Sequence, residues 1–229
     1  WRIRAEIDHD ALRHNVAAIR ASIGDEPGII AVVKADGYGH GGLEVAETVL
    51  NNGASRLAVA TVEEGIKFRK AGFQIPILIL GTLPSDQLEK AIEFELIPTV
   101  YTFSLAQKLS QKAGELTKKV KVHIKVDTGM GRIGVQPEAA VARIKEINNL
   151  SNLEIEGIFS HFAVADEDDQ FSIKNSATYD TFKEEVELTP EEEQWLNDNP
   201  KVSVAVMKRF PPFSYTLNQG AKPKGFSID

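Results

Sequence analysis

The 229-residue chain contains no cysteine, which removes disulfide cross-links and thiolate zinc sites from consideration. It also lacks a long hydrophobic run. The longest, around Ile75 to Leu83, contains Pro76 and is too short to span a bilayer. No amino-terminal signal peptide is visible, but the chain begins at Trp1 rather than Met. It therefore reads as a fragment, and the missing signal says little about a parent protein. Basic residues are outnumbered, 26 against 33 acidic for a formal charge of −7. That balance weighs against general nucleic-acid binding while leaving room for a local basic patch. The remainder, 42% hydrophobic and 26% charged, is enough to bury a core as one or two soluble domains.

Short apolar runs alternate with amphipathic segments along the chain. Strands are expected at Ile3–Ile7, Ile29–Val33, Leu57–Ala60, Ile75–Leu80, Ile97–Val100, Val120–Val126 and Leu153–Phe159. Between them, helices are expected after a cap at Asp8 or Asp10 and at Gly42–Asn52, Val62–Ala71, Asp86–Phe94, Ser104–Ala113 and Pro137–Asn148. Gly53 and Gly72 close two of these helices, and Pro137 opens the last. Strands and helices alternating at this spacing imply a parallel sheet with both faces covered. Periodicity alone leaves two arrangements, a doubly wound sheet or a barrel. Lys34, Asp127, Arg132 and His161 all follow strands at their carboxyl ends, where either arrangement places its site.

Three stretches carry candidate chemistry. In the first, the apolar run Ile29 to Val33 stops on Lys34 and passes into Ala35-Asp36-Gly37-Tyr38-Gly39-His40-Gly41. A lysine at the end of a buried strand is costly unless its charge is used or removed. That placement suits a Schiff-base lysine, although a lone lysine there more often snorkels to solvent. The second stretch, Lys125-Val126-Asp127-Thr128-Gly129-Met130-Gly131-Arg132-Ile133-Gly134, runs from a strand into a glycine-rich turn ending at one arginine. It reads equally as a structural loop or as a mount for a guanidinium whose planar fork suits a carboxylate. The third is Glu156-Gly157-Ile158-Phe159-Ser160-His161-Phe162-Ala163, where the default reading of the histidine is structural. His40 is placed to anchor the lysine loop. His9, His14 and His123 show no metal-ligand spacing and read as surface or packing residues, so no metal site is expected. The acidic run Asp166 to Asp169 reads as a solvated loop.

Together these motifs resemble the alanine racemase family, whose pyridoxal-phosphate lysine motif matches Lys34 to Gly41. The resemblance covers about residues 1–182. It implies a (β/α)8 barrel of TIM type, truncated here to about six βα units and followed by an extra non-barrel segment. It further implies pyridoxal 5'-phosphate as cofactor, with Lys34 as its attachment point and the base on one face of the substrate. By the same resemblance Tyr38 packs beside the cofactor and His161 against its ring. Arg132 lies near the cofactor's phenolic oxygen and the substrate carboxylate, and Lys125 matches a lysine carbamylated in some members. The implied activity is interconversion of L- and D-alanine, an isomerase reaction supplying D-alanine for the cell wall in the cytoplasm. The family's dimer and its second base, a tyrosine, depend on a carboxyl-terminal β-domain with no counterpart here.

The resemblance fades near Phe182. Thr189, Pro190 and Glu192 then stand at the N-cap, first and third positions of a helix start. Val202 to Val206 follows as a strand, leading to Arg209-Phe210-Pro211-Pro212-Phe213. The tail from about 186 to 229 resembles the opening of type 3 extracellular solute-binding domains, with Phe213 at a ligand-lining aromatic. Two domains are accordingly expected, 1–182 and 183–229, joined at a junction that reads as a chimera or truncated frame. Three functions stay open: an alanine racemase or a relative acting on another small amino acid, a non-catalytic cofactor-binding barrel, and a solute-binding or sensory module.

Overall fold

The computed structural model describes residues 5–25 and 27–163, together with two short strands at 214–215 and 224–225. Helix α1, His9–Ile23, starts where the Asp8 carboxylate accepts the N–H groups of Asp10 and Ala11, and ends at Gly24. Its buried residues are Leu12 and Val16, one helical turn apart on a single face. Strand β1, Ile29–Val32, follows, then α2, Gly42–Leu50, and β2, Ala54–Val59. Helix α3, Val62–Lys70, opens on a capping box between Thr61 and Glu64. Beyond it come β3, Ile77–Ile79, α4, Leu88–Glu93, and β4, Ile97–Val100. The rest is α5, Phe103–Glu115, β5, Val120–Lys125, α6, Pro137–Asn148, and β6, Leu153–Phe159.

Most boundaries lie within a residue or two of those expected from the pattern, with three informative differences. Residues 5–8 take no regular structure, so the part of Ile3–Ile7 that is described forms no strand. The helix expected over Asp86–Phe94 divides into a 3-10 turn, Ser85–Gln87, and α4. The glycine-rich turn after β1 is itself a helical segment, Lys34–Gly39, wound mostly in the left-handed sense.

All six strands pair in parallel and in chain order, β1 through β6. A doubly wound sheet reverses its strand order at a switch point; this one does not. One side-chain pair shows that the sheet is curled. Arg56 on β2 and Glu156 on β6 are bonded at 2.5 Å, whereas neighbouring strands about 4.8 Å apart would separate β2 from β6 by roughly 19 Å in a flat sheet. The fold is therefore a six-stranded arc of a (β/α) barrel, as the resemblance implied.

The period-two alternation of each strand sorts its side chains between two cores. Leu57, Val59, Ile77, Ile79, Val122 and Ile124 face outward and are sealed by the helices. Ala58, Leu78, Ile97 and Phe159 form a smaller apolar cluster inside the arc. On β5 the inward face is polar. Lys121 and His123 reach Glu156 at 2.9 and 3.3 Å, and Lys125 lies over the Phe159 ring at 5.0 Å. His123 is fully buried, in keeping with a packing role. His9 bonds Thr48 at 2.6 Å. Among the described residues no helix is long and apolar enough to cross a membrane.

Strand β7, Ser214–Tyr215, pairs antiparallel with β8, Lys224–Gly225. The expected helix start at Thr189, the strand at Val202 to Val206, Phe213, the acidic run at Asp166 to Asp169 and the boundary at 182 all lie outside the described residues.

Candidate active site

Lys34 leaves the end of β1 half-buried, immediately after Val33, which is sealed from solvent and bonded to the Ala58 carbonyl. The next four residues, Ala35, Asp36, Gly37 and Tyr38, have φ of 50°, 55°, 64° and 56° with ψ between 38° and 47°. The left-handed conformation costs roughly 1–2 kcal/mol for each residue that is not glycine. Hydrogen bonds hold it in place. Gly37 N–H donates to Val33 O at 3.0 Å and Gly41 N–H to Asp36 O at 3.0 Å. The Asp36 carboxylate accepts from Lys67 at 2.6 Å and from Gly42 N–H at 3.1 Å; these two contacts, Lys67 first, hold its carboxyl below the usual range. His40 Nδ1 stands 2.7 Å from the Tyr38 carbonyl and 3.1 Å from that of Gly37, so it does anchor the loop. The turn brings the Tyr38 ring beside the lysine, with its centroid 5.7 Å from Lys34 Nζ. Partial burial, and then the Glu64 carboxylate, push the Tyr38 phenol above its ordinary value.

Strand β5 delivers Lys125 to the same end of the arc. It is only 3% exposed. Burial first, and the neighbouring Arg132 guanidinium second, push its amine down to about 8, against an opposing pull from Asp127. The loop beyond is closed by Asp127 N–H donating to Val135 O and Val135 N–H donating to Lys125 O, both at 2.8 Å. Inside it, Asp127 Oδ1 accepts the N–H groups of Gly129 and Gly131 at 3.0 Å each. Burial raises this carboxyl, but the amides of Gly131, Gly129 and Met130 outweigh it and leave the group below its usual range. Gly134 is required here, since at φ 141° a Cβ would stand 2.6 Å from Asp127 N.

Arg132 sits exposed on this loop. The loop is tied to the end of β6 by Thr128 Oγ1 and Ser160 Oγ at 2.6 Å, and His161 is the next residue. His161 itself is exposed to solvent, yet nearby protein atoms, then the positive charges of Lys125, Arg132 and Lys34 in that order, push its imidazole down to about 4. Lys34, Lys125, Arg132 and His161 thus arrive from β1, β5, the β5 loop and β6 at one electrostatically coupled place, at the carboxyl ends of the strands. This is the end where parallel barrels carry their chemistry. Tyr38 joins the group through Lys34. Two residues were missed by sequence reasoning, Glu64, whose carboxylate grips the lysine loop, and Phe159 beneath Lys125; Asp127 was expected at a strand end, but not as its loop's internal acceptor. Only Glu64 had a visible signature, the Thr61-x-x-Glu64 capping box. No group of three or more histidines and carboxylates placed to hold a metal ion occurs among the described residues.

Residues 7–198 match the family described as "Alanine racemase, N-terminal domain"; that match runs past Phe182, where the motif resemblance fades. The alanine racemase of Desulforamulus reducens is 47% identical over 169 residues, 73% of this chain and 46% of that protein. A solved alanine racemase from Clostridium difficile 630 superposes with a TM-score of 0.74 at 40% identity, covering 77% of this chain and 49% of its own. A histidine racemase from Leuconostoc mesenteroides subsp. sake superposes with a TM-score of 0.73 at 25% identity, covering 85% and 50% respectively. This chain therefore spans about half the length of the relatives it matches. The tail's likeness to a solute-binding domain finds no support in these comparisons. A cationic constellation at the open end of a parallel arc, on a sequence matched from residue 7 to 198, places the chain in the alanine racemase family.

Proposed function

We propose that this chain carries the cofactor-binding wall of a pyridoxal-phosphate-dependent amino acid racemase acting on alanine. The family match over residues 7–198, with Lys34 and Lys125 at the carboxyl ends of β1 and β5, carries the reading. The residues fit the cofactor, an aldehyde bearing anionic groups. Lys34 offers a primary amine half-shielded from water, and the surrounding charge is cationic. The nearby Asp127 carboxylate is turned into its own loop by three backbone amides. The bound cofactor supplies an electron sink for the substrate α-carbon.

Lys34 would hold the cofactor covalently and carry the α-proton on one face of the substrate. His161, uncharged at neutral pH, presents a flat neutral ring suited to packing on the cofactor, and Tyr38 flanks the lysine. Arg132 would bind the substrate carboxylate and the cofactor's phenolic oxygen through its planar fork, as the family resemblance implies. Lys125, at about 8, has a sizeable un-ionised fraction near neutrality, which carbamylation requires. Racemisation also needs a proton carrier on the opposite face. Family resemblance assigns that role to a tyrosine of a carboxyl-terminal β-domain in a partner subunit, outside the residues matched here. The described residues would supply the lysine face of that exchange. A neighbour of like fold is named for histidine, so the shared wall does not by itself select the side chain. D-alanine made in the cytoplasm for cell-wall assembly is the corresponding physiological role.

The test is addition of pyridoxal phosphate, borohydride reduction and mapping of the label. A new visible absorbance before reduction and a single fixed label on Lys34 are expected. A colourless protein without labelled lysine would overturn the assignment, and D-alanine formation from L-alanine distinguishes a racemase from a binding barrel.

A further inference from the structure

The left-handed turn that follows Lys34 is gripped from another βα unit by one carboxylate. Ala35, the first residue in the turn, donates its N–H to Glu64 Oε1 at 2.7 Å, 29 residues away in sequence. Oε2 of the same group accepts Ala60 N–H at 2.6 Å and Thr61 N–H at 3.4 Å at the end of β2. A capping box needs only the Thr61 N–H contact, completed by Thr61 Oγ1 accepting Glu64 N–H at 3.3 Å; the Ala60 contact is extra. The contact to Ala35 is additional. It fastens a backbone that L-residues avoid, at the first position where φ turns positive.

The chemistry of the group is specific to this double task. Both oxygens act as acceptors, which an ionised carboxylate can do and a carboxamide, with one acceptor and one donor end, cannot. Aspartate keeps the charge but is one methylene shorter. One turn along the same helix, Lys67 holds Asp36 at 2.6 Å, but both partners of that bridge are about half exposed and such pairs contribute little. Both contacts are charge-assisted, but only the Glu64 carboxylate reaches the backbone amide at the first left-handed residue, whereas Lys67 reaches the turn through a side chain.

We infer that Glu64 is a positioning residue, which through the Ala35 amide maintains the left-handed turn that sets Lys34 beside Tyr38. Its consequence for catalysis rests on the reading of Lys34 as the cofactor lysine; its consequence for the loop does not.

The experiment compares amide hydrogen exchange in the full chain, without cofactor, for the unsubstituted protein, Glu64→Gln, Glu64→Asp and Thr61→Ala. Exchange at residues 35–38 is expected to rise about tenfold in both Glu64 variants, the equivalent of one lost charge-assisted hydrogen bond. Thr61→Ala breaks the cap from its other side and is expected to leave those amides as they were. Unchanged exchange in both Glu64 variants, or an equal rise in Thr61→Ala, would show an ordinary helix cap and overturn the inference. Borohydride-fixed labelling of Lys34 by pyridoxal phosphate provides the second readout. Glu64→Gln is expected to slow it about tenfold, and Ala35→Gly in that background to restore part of the rate, since glycine takes positive φ without penalty. Labelling at the unsubstituted rate in Glu64→Gln overturns the inference as well. If Lys34 stays unlabelled even in the unsubstituted chain, the cofactor reading fails and the exchange data alone decide the role of Glu64.

Discussion

Arg56 on β2 and Glu156 on β6 meet at 2.5 Å across the inside of the sheet. Glu156 is 7% exposed and also accepts from Lys121 and His123, so one carboxylate gathers three donors from two other strands. Through Arg56 it ties β6 to β2, two strands that have no backbone ladder between them.

Removing that carboxylate should loosen the arc. Glu156→Gln is expected to destabilise the protein by about 2–3 kcal/mol, because it strands Arg56 against a neutral partner; the urea unfolding midpoint measures this. The contact with His123, opposed by burial and aided by Lys121 and Arg56, holds the Glu156 carboxyl far below its ordinary 4.5. A depressed carboxyl contributes stability that is complete above 4.5 and is lost as pH falls toward the folded value. The unsubstituted protein should therefore lose stability more steeply below pH 4.5 than Glu156→Gln. Parallel acid profiles for the two would contradict this.

Lys125 acts in the opposite direction. Its amine falls from 10.5 to about 8 on folding, so between those values the unfolded chain holds a proton that the folded protein has released. Stability should rise with pH across that window. Lys125→Met is expected to abolish the rise and to stabilise the protein near pH 7, on the order of 2–3 kcal/mol. Thermal midpoints at pH 7 and pH 10 test both parts. In bicarbonate the unsubstituted protein should gain the mass of one carbon dioxide, and the variant should not.

His161 should titrate far below an ordinary histidine. Its ring is held at about 4 instead of 6.5, and the unfolded chain binds the extra proton between those values, so the histidine adds to acid lability in that range. An NMR titration is expected to show a midpoint near 4. Lys125→Met removes the second of its causes and should raise that midpoint by on the order of one pH unit. An unmoved midpoint would mean that the two groups are not coupled.

Gly134 guards the geometry of the arginine loop. An alanine there places Cβ 2.6 Å from Asp127 N at a φ of 141°, which should cost roughly 2–4 kcal/mol through backbone strain and overpacking. Denaturant unfolding of Gly134→Ala measures the loss. Alanine at Gly131 meets nothing within 4 Å but must still hold φ at 70°, so that substitution is expected to cost less, roughly 1–2 kcal/mol.

Much of the fold was legible because its signals are local. Period-two runs marked strands, Pro137 opened α6 at the expected residue, and glycines closed helices where a positive φ was needed. The lysine, arginine and histidine motifs were legible as strings of residues. The left-handed turn was not, because Ala35, Asp36 and Tyr38 do not favour positive φ. They adopt it because Glu64 and Lys67 hold them from a helix 29 and 31 residues away. The polar face of β5 was visible as alternation, but alternation does not say which face is inside. Lys121, His123 and Lys125 turn inward, and the apolar residues between them turn out toward the helices.

The sequence by itself determined the kinds of element, their order and the residue types at the strand ends, since these follow from propensity, periodicity and spacing over a few neighbours. Tertiary structure alone decided that the sheet curls, that Lys34 and His161, beyond its first and last strands, share one field, and that Lys125 is buried deeply enough to bring its amine down to about 8. Those outcomes depend on distances between residues far apart in the chain. Burial and Coulomb interaction are properties of such distances, and no local pattern contains them.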